Sequence, residues 1–166
     1  MRTLLVTLLA AIYNRLPGSL QHAVLWLGHG RFLVGVVGVG VDDAGGIVLA
    51  RHRFGSAAWR LLGGMLDKGE GPAKTLEREL GEELGVPVTI GPLLEVGNSQ
   101  RWAHLEIVFA YRIWGALPSA PNDELLAAAA FAVDALPPMR PEHRWLVEQH
   151  APRAVAWART ARRESP

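Results

Sequence analysis

Residues 64–86 read GMLDKGEGPAKTLERELGEELGV, and Glu79, Glu82 and Glu83 place three carboxylates within five positions of one segment. Residues three and four apart on a helix are neighbours, so these side chains span an arc of roughly 100°. Oxygen ligands gathered in this way suit a hard cation such as magnesium or manganese, which prefers carboxylates and water. A glycine-rich loop enters the helix, so free backbone N–H groups and the positive end of the helix dipole meet an incoming anion. A cation site beside an anion site is what chemistry on phosphates requires.

An acidic run such as ERELGEEL is, taken alone, most often a solvated helix face. Two features argue for more. Like charges on one face destabilise a helix by a few tenths of a kcal/mol per pair, and Gly81 in the interior costs about 1 kcal/mol against alanine. A segment serving helix stability alone would avoid both. Its spacing also resembles the Nudix box, G-x5-E-x7-R-E-U-x-E-E-x-G-U, where U is a bulky aliphatic residue. Nine specified positions over twenty-three residues are met, by Gly64, Glu70, Arg78, Glu79, Leu80, Glu82, Glu83, Gly85 and Val86. The resemblance implies an α/β/α sandwich with a mixed β-sheet and a metal-dependent hydrolase.

Composition sets the outer bounds. A chain of 166 residues can bury a proper core as one ordinary domain. Lys and Arg number 17 against 16 Asp and Glu, so the basic excess that announces non-specific nucleic-acid binding is missing and no nucleic-acid partner is expected. The chain has no cysteine, which excludes disulfides and thiolate metal sites and fits a cytoplasmic protein.

Residues 3–13, TLLVTLLAAIY, have the length of a signal-peptide core but follow a single cation and precede no small-x-small cleavage site. They are too short to span a bilayer. Two short amphipathic helices broken at Pro17-Gly18 fit better, forming an N-terminal helical extension over residues 1–29 ahead of a hydrolase domain over 30–166. Their apolar faces are expected to cap the core or make a homodimer contact, in preference to lying on a membrane surface through residues 3–27.

Downstream, residues 32–41 read as a buried strand, Asp42 to Gly46 as a turn and residues 47–52 as the returning strand of a hairpin. Residues 59–62 form a short strand leading into Gly63-Gly64. The acidic helix runs from Pro72, a favoured first helical residue, to Leu84, with Gly85 as its stop. Leu76, Leu80 and Leu84 give it an apolar line. Residues 88–96 and 104–114 are further strands, 118–122 a loop and 131–133 a short strand. A helix from Pro141 is interrupted near Pro152.

By resemblance, Glu79 and Glu83 are direct ligands to Mg2+ or Mn2+, with Glu82 a ligand or a neighbour that holds water, and the Gly63 carbonyl completing the site. Gly64, Glu70 and Arg78 support it, an Arg–carboxylate pair fixing the loop against the helix. Glu124, thirteen residues before Pro137 of a Leu-Pro-Pro segment, stands as a further ligand or general base. Its bland counterpart is a loop glutamate or the acidic start of a helix over 124–130. Glu106 is the rival, on a strand that would turn it to the cleft or to solvent. Within Arg51-His52-Arg53, Arg51 and Arg53 are the candidate phosphate clamps. Trp59 either lines the substrate pocket or belongs to the core, and Arg101 with Trp102 form a similar loop pair. His104 reads as a plain strand residue, and His143 and His150 lack metal-ligand spacing. Leu62 stands where relatives usually have proline ahead of the paired glycines, which loosens the turn but removes no ligand.

These residues imply hydrolysis of a pyrophosphate bond in a small molecule, a nucleoside diphosphate linked to another moiety or a nucleoside triphosphate. The alternative is a Nudix-fold module that binds a nucleotide for regulation without cleaving it.

Overall fold

The computed structural model describes residues 2–28, 32–56, 58–99, 103–118 and 124–161. The chain divides into two compact units, Met1–Phe32 and Leu33–Pro166. In the first, α1 (Arg2–Arg15) and α2 (Gly18–Gly28) are separated at Pro17. The Gln21 amide donates to the Tyr13 and Leu16 carbonyls, satisfying acceptors that the end of α1 leaves open. Val6, Leu20, Trp26 and Leu27 are exposed. Among the described residues no helix is long and apolar enough to cross a membrane.

The second unit is built on a sheet of six strands: β1 (Leu33–Val41), β2 (Ile47–His52), β3 (Leu62–Met65), β4 (Val88–Ser99), β5 (His104–Ile113) and β6 (Leu125–Phe131). The order is β4-β5-β1-β2-β6, with β3 paired to β1 beside that path. β1 and β5 run parallel and the other pairs antiparallel, so the sheet is mixed.

The valine–glycine run of β1 explains the layering. Alternate residues of a strand face opposite sides. Val37, Val39 and Val41 join Ile47, Leu49, Val108 and the α4 residues Leu146, Val147, Ala151 and Ala154 in one apolar cluster (α4, Pro141–Ala158). Val36 joins Val48, Ala50, Leu62, Tyr111 and the α3 residues Leu76, Leu80 and Leu84 in the other (α3, Pro72–Leu84). On that second side Gly38 and Gly40 leave room for the Tyr111 ring, which a Cβ at either position would strike. The sheet is thus sandwiched between α3 and α4.

Three expectations need correction. The strand expected at 59–62 begins at Leu62 and includes both glycines, while Trp59 and Arg60 make isolated bridges to Met139 and Ala50. The strand expected at 131–133 is β6, residues 125–131, and Val133–Ala135 is a 3-10 turn. The alanine-rich run 127–130 has helical propensity, but its pairing along β2 from Ile47↔Phe131 to His52↔Leu125 overrides it; the helical start considered for Glu124 is overturned with it. Finally, α4 runs unbroken through Pro152. Pro152 lies on the exposed side while Ala151 and Ala154 are buried against the sheet, and this seating outweighs one lost hydrogen bond.

Candidate active site

The acidic helix is set at both ends by its own sequence. Gly71 and Pro72 open it, and Gly85, left-handed at φ 63°, closes it by donating to the Gly81 carbonyl at 3.0 Å. The apolar line Leu76, Leu80 and Leu84 presses one side onto the sheet. Glu83 lies next to that line and is dragged in with it, to 5% exposure. Glu82 stays out in solvent, with a side chain 59% exposed.

A buried carboxylate needs compensating partners. Glu83 Oε1 lies 2.6 Å from His52 Nε2. On the other side of the imidazole, Arg60 Nε donates to His52 Nδ1 at 2.6 Å. Glu83 Oε2 is buried without a hydrogen-bond partner.

Glu79 lies against the paired glycines. A Cβ on Gly64 would overlap Glu79 Oε1, and a Cβ on Gly63 would overlap the Val36 carbonyl oxygen. Gly63 also has φ +143°, which side-chain-bearing residues avoid. Burial pushes the Glu79 carboxyl above the usual carboxylate range, against the pull of Arg78. The Arg78 guanidinium contacts Glu70 through Nε and Nη2, both at 3.3 Å, and Glu79 and Glu82 through Nη1 at 2.9 and 3.2 Å. Arg78 and the Thr75 hydroxyl hold the Glu70 carboxyl below its ordinary range. The loop before α3 is thereby tied to its first two turns.

Among the described residues no three Asp, Glu, His or Cys side chains stand in a ready-made cation cage. Magnesium does not require one, because it keeps several waters and takes one or two carboxylates. The donor set fits such a cation: Glu83 Oε2 is an orphaned acceptor in a buried position, and Glu79 lies one helical turn away.

A model of the NUDIX domain matches residues 31–150. The chain belongs to the Nudix hydrolase family. No curated protein matches it. Among solved structures, its fold is similar to an ADP-ribose pyrophosphatase from Streptococcus suis 89-1591, with a TM-score of 0.62 and 21% identity over 81% of this chain and 97% of that one. It is also similar to a MutT NUDIX hydrolase from Burkholderia pseudomallei, with a TM-score of 0.56 and 27% identity over 72% and 98% of the two chains. A UDP-X diphosphatase aligns at 25% identity and TM-score 0.61, over 94% of this chain and 79% of its own.

Of the expected site residues, this Nudix chain places Gly63 and Gly64 in β3, Glu70 in the loop before α3, and Arg78, Glu79, Glu82 and Glu83 along the second half of α3. Glu124 stands at the foot of β6, where its carbonyl accepts from the Arg53 N–H at 2.8 Å. Next to it, Leu125 pairs with His52, the partner of Glu83. Arg51 and Trp59 lie elsewhere. Arg51 stacks over the Trp59 ring at 5.4 Å, and Trp59 packs edge-on to Phe131 in the cluster under α4, on the opposite face of the sheet from Glu83. Arg101 and Trp102 fall outside the described residues.

His52 is the residue that sequence reasoning passed over. The signal was present in β2: Val48 and Ala50 face α3, so His52 must face it too, and Arg51 must not.

Proposed function

We propose that this Nudix hydrolase cleaves a pyrophosphate bond in a nucleoside diphosphate linked to a second moiety, or in a nucleoside triphosphate, with Mg2+ or Mn2+. The observation that carries this reading is Glu83, a buried carboxylate with one oxygen engaged by His52 and the other left open. A carboxylate sunk in a core without full pairing is destabilising, and a cation is the partner that makes it tolerable. Glu79 and Glu83 are the proposed direct ligands, with the Gly63 carbonyl and Glu82 completing the site. A cation held by these residues would supply Lewis-acid polarisation of a phosphoryl oxygen and activation of a water. Gly64 leaves space for the Glu79 carboxylate. Arg78 and Glu70 hold the loop and helix in register. Glu124 is the proposed acceptor of the proton from the attacking water.

A cavity of about 390 Å³ between β4, β5 and α4 supports the nucleoside part of the reading. Among the described residues Glu95, Asn98, Glu106 and Glu142 line it with Trp145, and no lysine or arginine does. Acceptor groups beside an indole suit a flat group rich in N–H donors, such as a nucleobase. Burial pushes the Glu106 carboxyl up, with His104 and Arg140 opposing. Gly35 of β1 pairs with Glu106 on one side and with Met65, next to Gly64, on the other. Glu106 is therefore two strand spacings, about 10 Å, from the paired glycines along the sheet, and it faces α4 with Val108, on the same side as Arg51 and Trp59.

The test is monophosphate release from nucleoside triphosphates, dinucleoside polyphosphates, nucleotide sugars, ADP-ribose and CDP-alcohols, each with Mg2+, Mn2+ or EDTA. Turnover of a preferred compound only with metal is expected. Glu79→Gln and Glu83→Gln should each lower kcat by at least about a hundredfold while the fold persists. Full activity in both variants would sink the site assignment. Metal-dependent binding without turnover across the panel would instead make the chain a nucleotide-binding regulator.

A further inference from the structure

The polar chain Arg60–His52–Glu83 does more than neutralise a buried acid. An arginine guanidinium only donates. With Arg60 Nε donating to His52 Nδ1 at 2.6 Å, that ring nitrogen is the acceptor and the imidazole proton sits on Nε2. Nε2–H therefore donates to Glu83 Oε1, also at 2.6 Å, and one carboxylate oxygen is taken. What remains is Oε2, buried and unpartnered.

We infer that His52 is a positioning residue that makes Glu83 a one-oxygen metal ligand, and that Arg60 sets the tautomer in which His52 does so. The inference rests on the metal-binding reading of Glu83 given above. In metal sites built on histidine, a carboxylate behind the ring orients the ligand; here the order is reversed, with the imidazole behind a carboxylate. The backbone keeps the parts in place. Ala50 and Arg60 exchange both backbone hydrogen bonds, at 3.0 and 2.9 Å, fixing Arg60 two residues from His52 along β2. His52 itself pairs with Leu125 where the β2–β6 register shifts, the extra residue falling on β6 so that the alternation of β2 still turns His52 toward α3. No other imidazole among the described residues is hydrogen-bonded to a glutamate of the acidic helix, so no second group substitutes for it.

The experiment is Mn2+ titration of the full chain, followed by electron paramagnetic resonance, for the parent, His52→Leu, His52→Gln, Arg60→Leu and Glu83→Gln, with melting curves recorded in EDTA. Leucine removes the donor, and Mn2+ binding should weaken by about tenfold to a hundredfold. The glutamine amide both donates and accepts, so His52→Gln should stay within about threefold of the parent. A long-range ¹⁵N–¹H spectrum should show His52 as the Nε2–H tautomer in the parent, with that preference lost in Arg60→Leu. If folded His52→Leu binds Mn2+ like the parent while Glu83→Gln does not, the positioning role is overturned and the metal site survives. If Glu83→Gln also binds like the parent, the metal reading of Glu83 falls, and this inference with it. Should His52→Leu fail to fold, the parent tautomer and the Mn2+ affinity of Arg60→Leu decide: an Nδ1–H tautomer, or unchanged affinity, overturns the proposal.

Discussion

Two adjacent glycines do different work, and single methyl groups separate them. At Gly63 an added Cβ meets backbone, the Val36 carbonyl oxygen, in a conformation that side-chain-bearing residues avoid. Backbone in the middle of a paired sheet cannot yield cheaply, so Gly63→Ala should lower unfolding stability by several kcal/mol or prevent folding. At Gly64 the same methyl meets only the far end of the Glu79 side chain. That side chain can swing aside at little cost to the fold, but it then no longer points where a cation would sit. Gly64→Ala should therefore melt within a few degrees of the parent while losing at least about tenfold in kcat. Thermal melts paired with rate measurements check both variants. A Gly64→Ala protein with parental kcat would mean that the Glu79 carboxylate is not held by that contact for catalysis.

At the level of elements, what could be read in advance was whatever local chemistry controls. The ends of α3 at Pro72 and Leu84 follow from a proline start and a glycine stop, and its buried side from Leu76, Leu80 and Leu84. Gly81 in the same helix is different, since an added Cβ there meets nothing within 4 Å. Gly81→Ala should accordingly stabilise the protein by about 0.5–1 kcal/mol without altering kcat, a gain that urea unfolding would register. An equal or lower midpoint would mean that α3 needs the glycine for a reason other than space. β6 escapes a local reading because its alanines take their conformation from β2, whose nearest paired residue is 73 positions away (His52↔Leu125), and Pro152 because the packing of α4 lies outside its own sequence. The site divides along the same line. Glutamates clustered on one helix are visible as spacing, whereas the His52–Glu83 contact joins residues 31 positions apart and becomes visible only through the parity of β2.

Across the sandwich, α4 is anchored to the strand side by a buried histidine. His143 Nδ1 accepts the Leu61 N–H at 2.9 Å, just ahead of Leu62 and the paired glycines. Burial holds the imidazole down, to about 4, with the Arg140 charge adding to the effect. The sign of the consequence follows from the unfolded value near 6.5. Between about pH 6.5 and 4 the unfolded chain binds a proton at this site that the folded chain refuses, so stability rises with pH in that window. The contribution is complete above about pH 6.5 and is lost as the pH falls toward 4, amounting to about 2 kcal/mol between pH 7 and pH 5. Protonation also turns Nδ1 from acceptor to donor and breaks the tie to Leu61, so α4 should loosen from the segment that leads into the glycines. His143→Gln keeps a neutral acceptor at every pH. Urea unfolding at pH 7 and pH 5 should show the parent losing about 2 kcal/mol more than His143→Gln; parallel losses in the two proteins would remove His143 as the source of acid sensitivity.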